Sequence, residues 1–585
     1  MCGITCLIHL SGQAVDPDLF LGMHTAIKHR GSDSHGLYTD HEIALSSQRL
    51  HIIGEKNEGQ QPMHFKDRYH FVFNGTLYNH KYLAEKLRAN NIPLNTSSDT
   101  EIAFSCLIHF GLKQIQEWDG MFSFIFYDAK EKSVWIRRDP LGIKPLYYAY
   151  LNGYMAFSSE TKSFYHFPDW TFEVEKEKVM LFLNTGEREI NGHPFWKKAK
   201  AVPTGCTLII RRQVNQPFHL TEIWDEEQIP ACFSAPVQNL SFREATIHGK
   251  ELLEKAIHTH VQGNGPLGLS VSGGLDSSLL LTSLKKQFPQ KLPCIISYNE
   301  VEKTGLMSLK NAFTGDYHSL PILSYEEFQS IHNEVIILSE GPLPAPNAIH
   351  HFHIYRYAKR LGIKIMLSGQ GADELFLGYP GALKSYWHHL YSDKDYVKYF
   401  QEVLYTFFFR SDLYGPLFHS LKNKRYKKER QADSSIELRR NKTLFYSNLP
   451  YLLLAEDRHG LANNMEVRVP FLDNQFQIFA RNLPINYLIH HGKQKWILRA
   501  MGKELLPEKI LNTYEKKGFP ASIPIQDQKE KTNLLNDLNA FILKHKLSYP
   551  FPTHDPSILL HSYPALAWRI NSLQKWTDLF PVHFV

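Results

Sequence analysis

The sequence predicts two folded units of different class: an α+β unit over residues 2–210 and an α/β unit over residues 241–525. The first 210 residues are rich in short β-type runs such as Phe122–Tyr127, with a few helical stretches between them. Beyond residue 240, strand-like and helix-like segments alternate, which favours a doubly wound parallel sheet with additional helices. A glycine-rich string joins one such strand to the helix that follows.

The composition is that of an ordinary globular protein, with 43% hydrophobic and 21% charged residues in a chain of 585. A net charge of +6, with 31 neutral histidines, is too mild to indicate nucleic-acid binding. Six cysteines without CxxC spacing argue against a disulfide framework or a structural zinc site. No apolar run reaches membrane-spanning length, and no leader pattern precedes Cys2. We therefore expect a cytoplasmic protein with neither nucleic-acid nor membrane partners.

The glycine-rich string runs from Leu269 to Ser278 and predicts a strand, a turn and the beginning of a helix. Gly273 and Gly274 allow the backbone to approach a ligand and to present successive N–H groups. The helix N-terminus that follows favours an anion. Because like charges repel, Asp276 does not suit direct phosphate binding, but it suits a magnesium ion that phosphates share.

A second string, Ser368-Gly369-Gln370-Gly371-Ala372-Asp373, again follows a strand-like run. Its Ser368 and Gly369 are placed for nucleotide contact, and Asp373 is a second candidate magnesium ligand.

The first string resembles the pyrophosphate-binding loop of the ATP pyrophosphatase family, which cleaves ATP to AMP and pyrophosphate while a carboxylate is adenylated. It is not a Walker loop, since no Gly-Lys-Ser/Thr follows. The resemblance implies ATP and Mg²⁺, with Asp276 and Asp373 as metal ligands. The ATP-binding residues that it implies are Val271, Ser272, Gly273, Gly274, Asp276, Ser277, Ser297, Ser368 and Gly369.

The beginning of the chain, Met1-Cys2-Gly3, offers a different chemistry. Removal of Met1 would leave Cys2 with a free α-amine, which titrates near pH 8. That amine can take the thiol proton, directly or through a water, and so activate the nucleophile without a histidine.

Motifs that follow Cys2 in order include Arg30-Gly31-Ser32-Asp33, Ser47-Gln48-Arg49-Leu50, Asn74-Gly75-Thr76 and Ser98-Asp99-Thr100. Together they resemble the class II glutamine amidotransferases, and this implies an N-terminal-nucleophile α+β sandwich. The resemblance implies that Cys2 attacks the glutamine amide while Asn74 and the Gly75 N–H stabilise the oxyanion. The glutamine-binding residues that it implies are Arg49, for the α-carboxylate, Asp99, for the α-ammonium, and Leu50, Ile52, Asn74 and Thr76.

Two positions depart from that pattern. Ser32 stands where the family usually has a proline, and Thr76 stands where it usually has a glutamate that helps bind the substrate ammonium. We expect Thr76 to weaken glutamine binding without abolishing it, because Asp99 remains.

Two later strings, Asp457–Asp473 and Tyr514–Phe519, resemble the synthetase domain of asparagine synthetases, and this resemblance covers about residues 240–525. It implies that Lys516 stabilises charge as pyrophosphate leaves. Residues 211–240 are expected to be a connector and residues 526–585 a C-terminal extension with a helix near 532–545. The oligomeric state stays open, with a homodimer as one candidate.

The combined expectation is glutamine-dependent amidation of a carboxylic acid with formation of AMP and pyrophosphate, and aspartate is the best single acceptor. One alternative is the same chemistry on a natural-product, peptide or sugar acid, because the segment Asn299–Leu320 looks unlike that of asparagine synthetases and Gln370 replaces a common glutamate. A second is a catalytically silent regulatory homologue. Part of the acceptor site is expected between Asn299 and His353, where the charged or titratable candidates are Glu300, Glu302, Asp316, Glu340, His350 and His351.

Overall fold

The computed structural model describes residues 2–55, 57–188, 193–212, 218–225, 240–289, 294–298, 307–312, 315–410, 436–514, 528–545 and 556–585. Lys516, Glu300 and Glu302, which the sequence marks as candidates, lie outside the described residues. Within the ranges that are described, no helix combines the length and apolar character needed to cross a bilayer.

Two six-stranded antiparallel sheets form the body of the first unit. The strand order is β11-β8-β9-β1-β3-β2 in one sheet and β13-β12-β7-β6-β5-β4 in the other. The strands are β1 Cys2–His9, β2 Ser34–Asp40, β3 Ile43–Arg49, β4 Met63–Phe65, β5 Tyr69–Leu77, β6 Gly120–Asp128, β7 Ser133–Arg138, β8 Tyr147–Leu151, β9 Tyr154–Ser158, β10 Glu173–Val174, β11 Lys200–Ala201, β12 Cys206–Arg211 and β13 His219–Asp225. The helices of this unit are α1 Pro17–Ala26, α2 His80–Ala89, α3 Asp99–Phe110 and α4 Lys176–Thr185.

The alternation of side chains along the strands produces the layers of this unit. Phe71 and Phe73 on β5 pack against α2 and α3, in a cluster that includes Phe104. Val72, between them, faces the other way and packs with Ile4 of β1 in the core between the two sheets. The result is an α+β sandwich, as the sequence predicts.

The sheet of the first unit extends beyond residue 210. The sequence predicts a connector over residues 211–240, whereas β13 within that range pairs antiparallel with β12, with Thr207 opposite Trp224. The run Ile223-Trp224 has the β-branched and aromatic character that favours a strand. Much of the remaining connector lies outside the described residues.

The second unit alternates helices with the strands of one parallel sheet. Up to residue 375 its elements are α5 Phe242–His260, β14 Leu267–Ser270, α6 Leu275–Gln287, β15 Cys294–Tyr298, α7 Met307–Ala312, β16 Asp316–Leu320, α8 Tyr325–Ser339, α9 Asn347–Arg360, β17 Ile365–Leu367 and α10 Ala372–Leu375. The later ones are α11 Pro380–Ser392, α12 Tyr396–Phe409, α13 Ile436–Phe445, α14 Asn448–Ala462, β18 Glu466–Arg468, α15 Asn474–Arg481, α16 Ile485–Leu488, β19 Ile489–His490, β20 Lys493–Gln494, α17 Trp496–Gly502, α18 Glu508–Leu511, α19 Gln528–His545, α20 Pro556–Ser562, α21 Pro564–Leu579 and β21 His583–Phe584.

The parallel sheet has the order β16-β15-β14-β17-β18 and is covered on both faces. Ile295 and Ile296 are adjacent on β15 and pack into different hydrophobic cores on its two sides. Ser241 and Glu244 form a capping box that begins the preceding helix, α5. Because the chain runs outward in both directions from β14, the order reverses between β14 and β17, where doubly wound sheets bind ligands.

The end of the chain packs back onto the first unit. Trp568 and Trp576 of α21 lie in a core with Phe182 and Trp196. The last strand, β21, pairs parallel with β10. The residues beyond 525 therefore hold the two units together, a role that their sequence does not indicate.

Candidate active sites

The first candidate site lies where β1, β3 and β5 come together. Cys2 opens β1 opposite Arg49 of β3 and is only 3% exposed. Its backbone N–H donates to Asn74 Oδ1 at 2.9 Å. Gln61 Nε2 lies 3.4 Å from the Cys2 sulfur, and its Oε1 accepts from the Phe73 N–H at 2.6 Å. A polar amide thus holds the thiol beside the strand that carries Asn74.

Asn74 and Gly75 lie on β5, where β6 passes very close. A β-carbon on Gly75 would lie 2.2 Å from the Met121 carbonyl oxygen and 2.7 Å from Phe122 Cα, so only glycine fits. Asn74 Nδ2 is buried and has no hydrogen-bond acceptor within the described part of the chain. A donor in that position can serve a charge that develops on a bound substrate.

The predicted glutamine-binding residues gather around the thiol. One small cleft is lined by Cys2, Arg49, Leu50, Ile52, Gly75, Thr76 and Asp99, among others. Asp99 accepts a hydrogen bond from the Leu77 N–H at 3.1 Å, and burial raises the pKa of its carboxyl. The cleft encloses about 10 Å³. That is room for about one water.

Glu466 approaches this cleft from the second unit, and sequence reasoning did not find it. Thr76 Oγ1 donates to both of its carboxylate oxygens, at 3.0 and 3.1 Å. Burial alone would raise the pKa of Glu466, but the Arg468 guanidinium, 2.5 Å from one oxygen, helps to hold it below its usual range. The pair is separated by 390 residues in sequence, so no local pattern could reveal it. The Glu466 carboxylate therefore lies behind Thr76, the position where the family usually has a glutamate.

The second candidate site lies at the switch in strand order, where the loops after β14 and β17 meet. Gly273 has φ +70°, a conformation that glycine adopts readily, and α6 begins at Leu275. A cavity of about 330 Å³ opens here, and we term it the nucleotide cavity. Its lining includes Ser272, Gly273, Gly274, Asp276, Ser277, Ser368, Gly369, Gln370, Asp373 and Lys495.

Two of the predicted ATP-binding residues do not reach this cavity. Val271 is fully buried, and its N–H donates to the Ile296 carbonyl at 3.0 Å. Ser297 is buried within β15. The Ser368 hydroxyl donates to Glu456 Oε1 at 2.6 Å. Ser368 and Glu456 both line the cavity, whereas Val271 and Ser297 do not.

A lysine joins the two predicted metal ligands. Lys495 Nζ lies 2.5 Å from Asp276 Oδ2 and 2.6 Å from Asp373 Oδ1. Burial would lower the pKa of this lysine, but the two carboxylates outweigh burial and raise it. Lys495 lies at the N-terminal end of α17 in the left-handed conformation, and no sequence signal marked it. The two carboxylates, drawn from separate loops to one point beside the cavity, form a donor set that suits Mg²⁺.

Buried ion pairs join the two units between these sites. Asp457 of α14 contacts Arg30 Nη2 at 2.7 Å and Lys144 Nζ at 3.2 Å. Arg30 also pairs with Glu160 at 2.7 Å, and all four side chains are at most 1% exposed. This cluster, the joint, fixes the first unit against the helix that precedes β18.

Comparison with known protein families supports the division of the chain into two units. The glutamine amidotransferase domain matches residues 1–221 and asparagine synthase matches residues 248–577. The chain belongs to the asparagine synthase family. It is 27% identical to asparagine synthetase (glutamine-hydrolysing) 1 of Bacillus subtilis strain 168, over 93% of this chain and 89% of that protein. It is 28% identical to a probable asparagine synthetase of Schizosaccharomyces pombe, over 85% and 79%. It is 29% identical to the amidase chyE of Penicillium rubens, over 60% and 54%.

Membership of the asparagine synthase family makes the chain an enzyme and confirms the family resemblance drawn from the motifs. The alternative of a silent regulatory homologue is therefore not favoured.

The expected acceptor segment contributes less than the sequence suggests. Glu340 turns towards the first unit, where it accepts from the Thr161 and Lys162 N–H groups, and Arg458 of α14 also pairs with it. His351 lies within 3.0 Å of His459, nitrogen to nitrogen, although it also borders the nucleotide cavity. Asp316 pairs with His318 at 3.0 Å. Within the described part of the segment, Asn347 and His351 line the cavity.

Proposed function

We propose that this member of the asparagine synthase family uses ATP and glutamine to convert a carboxylic acid to its amide, releasing AMP and pyrophosphate. Aspartate, giving asparagine, is the best single acceptor. The observation that carries the proposal is the pair of glycine-rich loops at the switch point of the parallel sheet, with Asp276 and Asp373 between them. Such a crevice is where doubly wound sheets hold nucleotides.

In the first reaction, the Cys2 thiolate attacks the side-chain amide carbon of glutamine. Asn74 Nδ2 and the Gly75 N–H stabilise the resulting oxyanion, and ammonia leaves with the proton taken from the thiol. Water then hydrolyses the thioester to glutamate and frees the thiol. Arg49 suits the α-carboxylate of glutamine because it is cationic, and Asp99 suits the α-ammonium because it can be anionic.

In the second reaction, an acceptor carboxylate oxygen attacks the α-phosphorus of ATP, and pyrophosphate leaves. Backbone N–H groups of the Gly273-Gly274 loop and the beginning of α6 hold the departing phosphates. Lys495 neutralises the two carboxylates when no cation is bound and supplies positive charge beside the phosphates. Mg²⁺ held by Asp276 and Asp373 would neutralise phosphate charge. Lys516 remains the candidate for stabilising the departing pyrophosphate.

Ammonia from the first site then attacks the acyl carbon of the acyl-adenylate, giving the amide and AMP. Ammonia and the adenylate both react with water, so the route between the sites must exclude it. One hydrophobic core includes Ile52, Met121 and Ile143 of the first unit together with Leu269 and Val469 of the second. Neutral ammonia can cross such a region, whereas ammonium cannot do so without loss of hydration.

The test follows pyrophosphate release with ATP, Mg²⁺ and either glutamine or ammonium, over a panel of carboxylic acids that includes aspartate. We expect release that depends on an acid and AMP formed in equal amount. Cys2→Ala should abolish glutamine-driven synthesis while ammonium-driven synthesis continues, because the thiol serves only ammonia release. Equal glutamine use by Cys2→Ala would remove the nucleophile assignment. Absence of AMP formation with every acid would overturn the proposed function.

A further inference from the structure

A second cavity of about 490 Å³ adjoins the nucleotide cavity. Asn347, Asp373, Tyr379, Asn448 and Leu452 line both spaces, so the two share a wall. The volume falls within the range that holds drug-sized ligands, roughly 300–1,000 Å³. An acceptor whose carboxylate reaches the nucleotide at this wall can therefore extend a long way into the second cavity, which we term the acceptor cavity.

The shared and the unshared parts of the lining of the acceptor cavity differ in charge. At the shared wall, Asp373 is paired with Lys495, and Glu374 Oε1 accepts from the Tyr379 hydroxyl at 2.6 Å and from Asn448 Nδ2 at 2.8 Å. The part of the lining that is not shared contains Glu187 and four arginines from three separate parts of the chain, Arg188, Arg439, Arg440 and Arg569.

Arg440 is the unusual member of this set. Its side chain lies on α13 and the residue is 8% exposed. Nη2 donates to the Arg481 carbonyl at 2.7 Å, while Nε and Nη1 are buried without an acceptor in the described part of the protein. Burial lowers the pKa of Arg440, and the Glu437 carboxylate opposes that shift only in part. A buried guanidinium with unused donors is costly unless an anion binds it.

Arg439, the neighbouring residue, is half-buried and donates to Ser385 Oγ at 3.2 Å. Arg188 is held by the carbonyl oxygens of Pro342 and Ser339, with its guanidinium 5.6 Å from the centre of the Tyr451 ring. These cations raise the positive potential of the same, unshared part of the lining. Arginine is the natural partner of a carboxylate or phosphate, because its donors form a planar fork.

We propose that the acceptor of this enzyme is an acid larger than aspartate that carries a second anionic group, and that Arg440 binds this distal group. The inference rests on the proposed amidation function and replaces aspartate with a longer acid as its acceptor. A carboxylate and a phosphate have the same recognition chemistry here, so the experiment includes both. The cation that holds the acceptor comes from α13, outside the segment between residues 299 and 353 where the sequence places the acceptor site.

The first experiment uses the full-length enzyme without substitution, with ATP, Mg²⁺ and ammonium, and measures pyrophosphate release. The probes are aspartate, glutarate, adipate, pimelate, 4-phosphonobutyrate and, as the neutral-ended match, adipate monoamide. We expect kcat/KM for one of the long dianions to exceed the values for both aspartate and adipate monoamide by about tenfold or more. The reason is that aspartate and the monoamide lack the charge-assisted hydrogen bond that the distal anion forms. A preference for aspartate, or equal use of adipate and its monoamide, overturns the inference and leaves the amidation function intact.

The second experiment compares Arg440→Met, which keeps the length of the side chain without its charge, and Arg440→Lys. We expect Arg440→Met to raise KM for the preferred dianion about tenfold or more with kcat and the KM for ATP little changed, and Arg440→Lys to restore part of the loss. Arg356→Met is the control, because Arg356 pairs with Glu334 and lines neither cavity. An unchanged KM in Arg440→Met overturns the role of Arg440, and the acid panel decides the acceptor class even if that variant does not fold.

Discussion

Asp457→Asn tests the joint between the two units. The substitution keeps the shape of the side chain and one acceptor oxygen, but it removes the negative charge that faces Arg30 Nη2 at 2.7 Å and Lys144 Nζ at 3.2 Å. Arg30 would then keep its contact with Glu160, whereas Lys144 would lose the carboxylate that faces it. All of these side chains are at most 1% exposed, so water cannot replace the lost partner.

The expected magnitude comes from that burial. Removal of one partner from a buried ion pair destabilises by about 3–5 kcal/mol, because an uncompensated buried charge remains. Asparagine retains a hydrogen-bond acceptor, which places the expected loss at the lower end, about 3 kcal/mol. The loss should fall on the contact between the units, so we also expect ammonia to escape before it reaches the adenylate.

Two measurements check this prediction. Calorimetry should show a lower temperature for the transition that separates the units, and glutamine-driven assays should show more glutamate formed per molecule of amide. The matched control is Asp128→Asn, which removes a pair of the same length, 2.7 Å, with an Arg68 side chain that is 32% exposed. Such a partly exposed pair contributes about 0–1 kcal/mol. If both variants unfold alike and both keep the ratio of glutamate to amide, the joint does not have the role given to it.

Three further outcomes are expected. Asp276→Asn and Asp373→Asn should each stop AMP formation with either nitrogen source and leave glutaminase activity nearly unchanged, and normal AMP formation would contradict their role. Gly75→Ala should lower glutamine-dependent turnover at least about tenfold, because its β-carbon would meet the Met121 carbonyl oxygen at 2.2 Å; kinetics with glutamine against ammonium measure this. Burial, assisted by Arg468, lowers the pKa of His260 to about 3, so from about pH 6.5 downwards only the unfolded chain takes up that proton. Stability should therefore fall by about 1.4 kcal/mol per pH unit for this residue, and acid-unfolding curves of His260→Gln should be shallower than those of the unsubstituted protein.

Local patterns predicted the parts of the sites that one segment can supply. The strand, glycine turn and helix around Gly273 and Asp276 form one continuous stretch, so their hydrophobic and turn signals were readable. Cys2, Arg49 and Asp99 were placed through the family resemblance, and the structure brings them to one cleft. Neither route depends on knowing how distant segments pack.

The contacts that sequence reasoning missed share a different origin. Lys495 meets Asp276 across 219 residues, and Arg30 meets Asp457 across 427. Contacts of this kind depend on the tertiary fold, and a lone lysine or arginine in sequence usually indicates a solvated surface. Glu340 shows the opposite case, since its position suggested an acceptor contact and the fold instead pairs it with Arg458.

The distribution of these missed residues explains how two reactions share one chain. Glu466 lies on β18 and accepts from Thr76 beside the glutamine cleft. β18 pairs with β17, whose end carries Ser368 in the lining of the nucleotide cavity. The cleft and the cavity are thus joined through two hydrogen-bonded strands, while the joint holds the apolar core between the units closed. A reaction that must carry ammonia without loss requires a fixed relation between its two sites, and buried charges supply it because each would be left without a partner if the units separated.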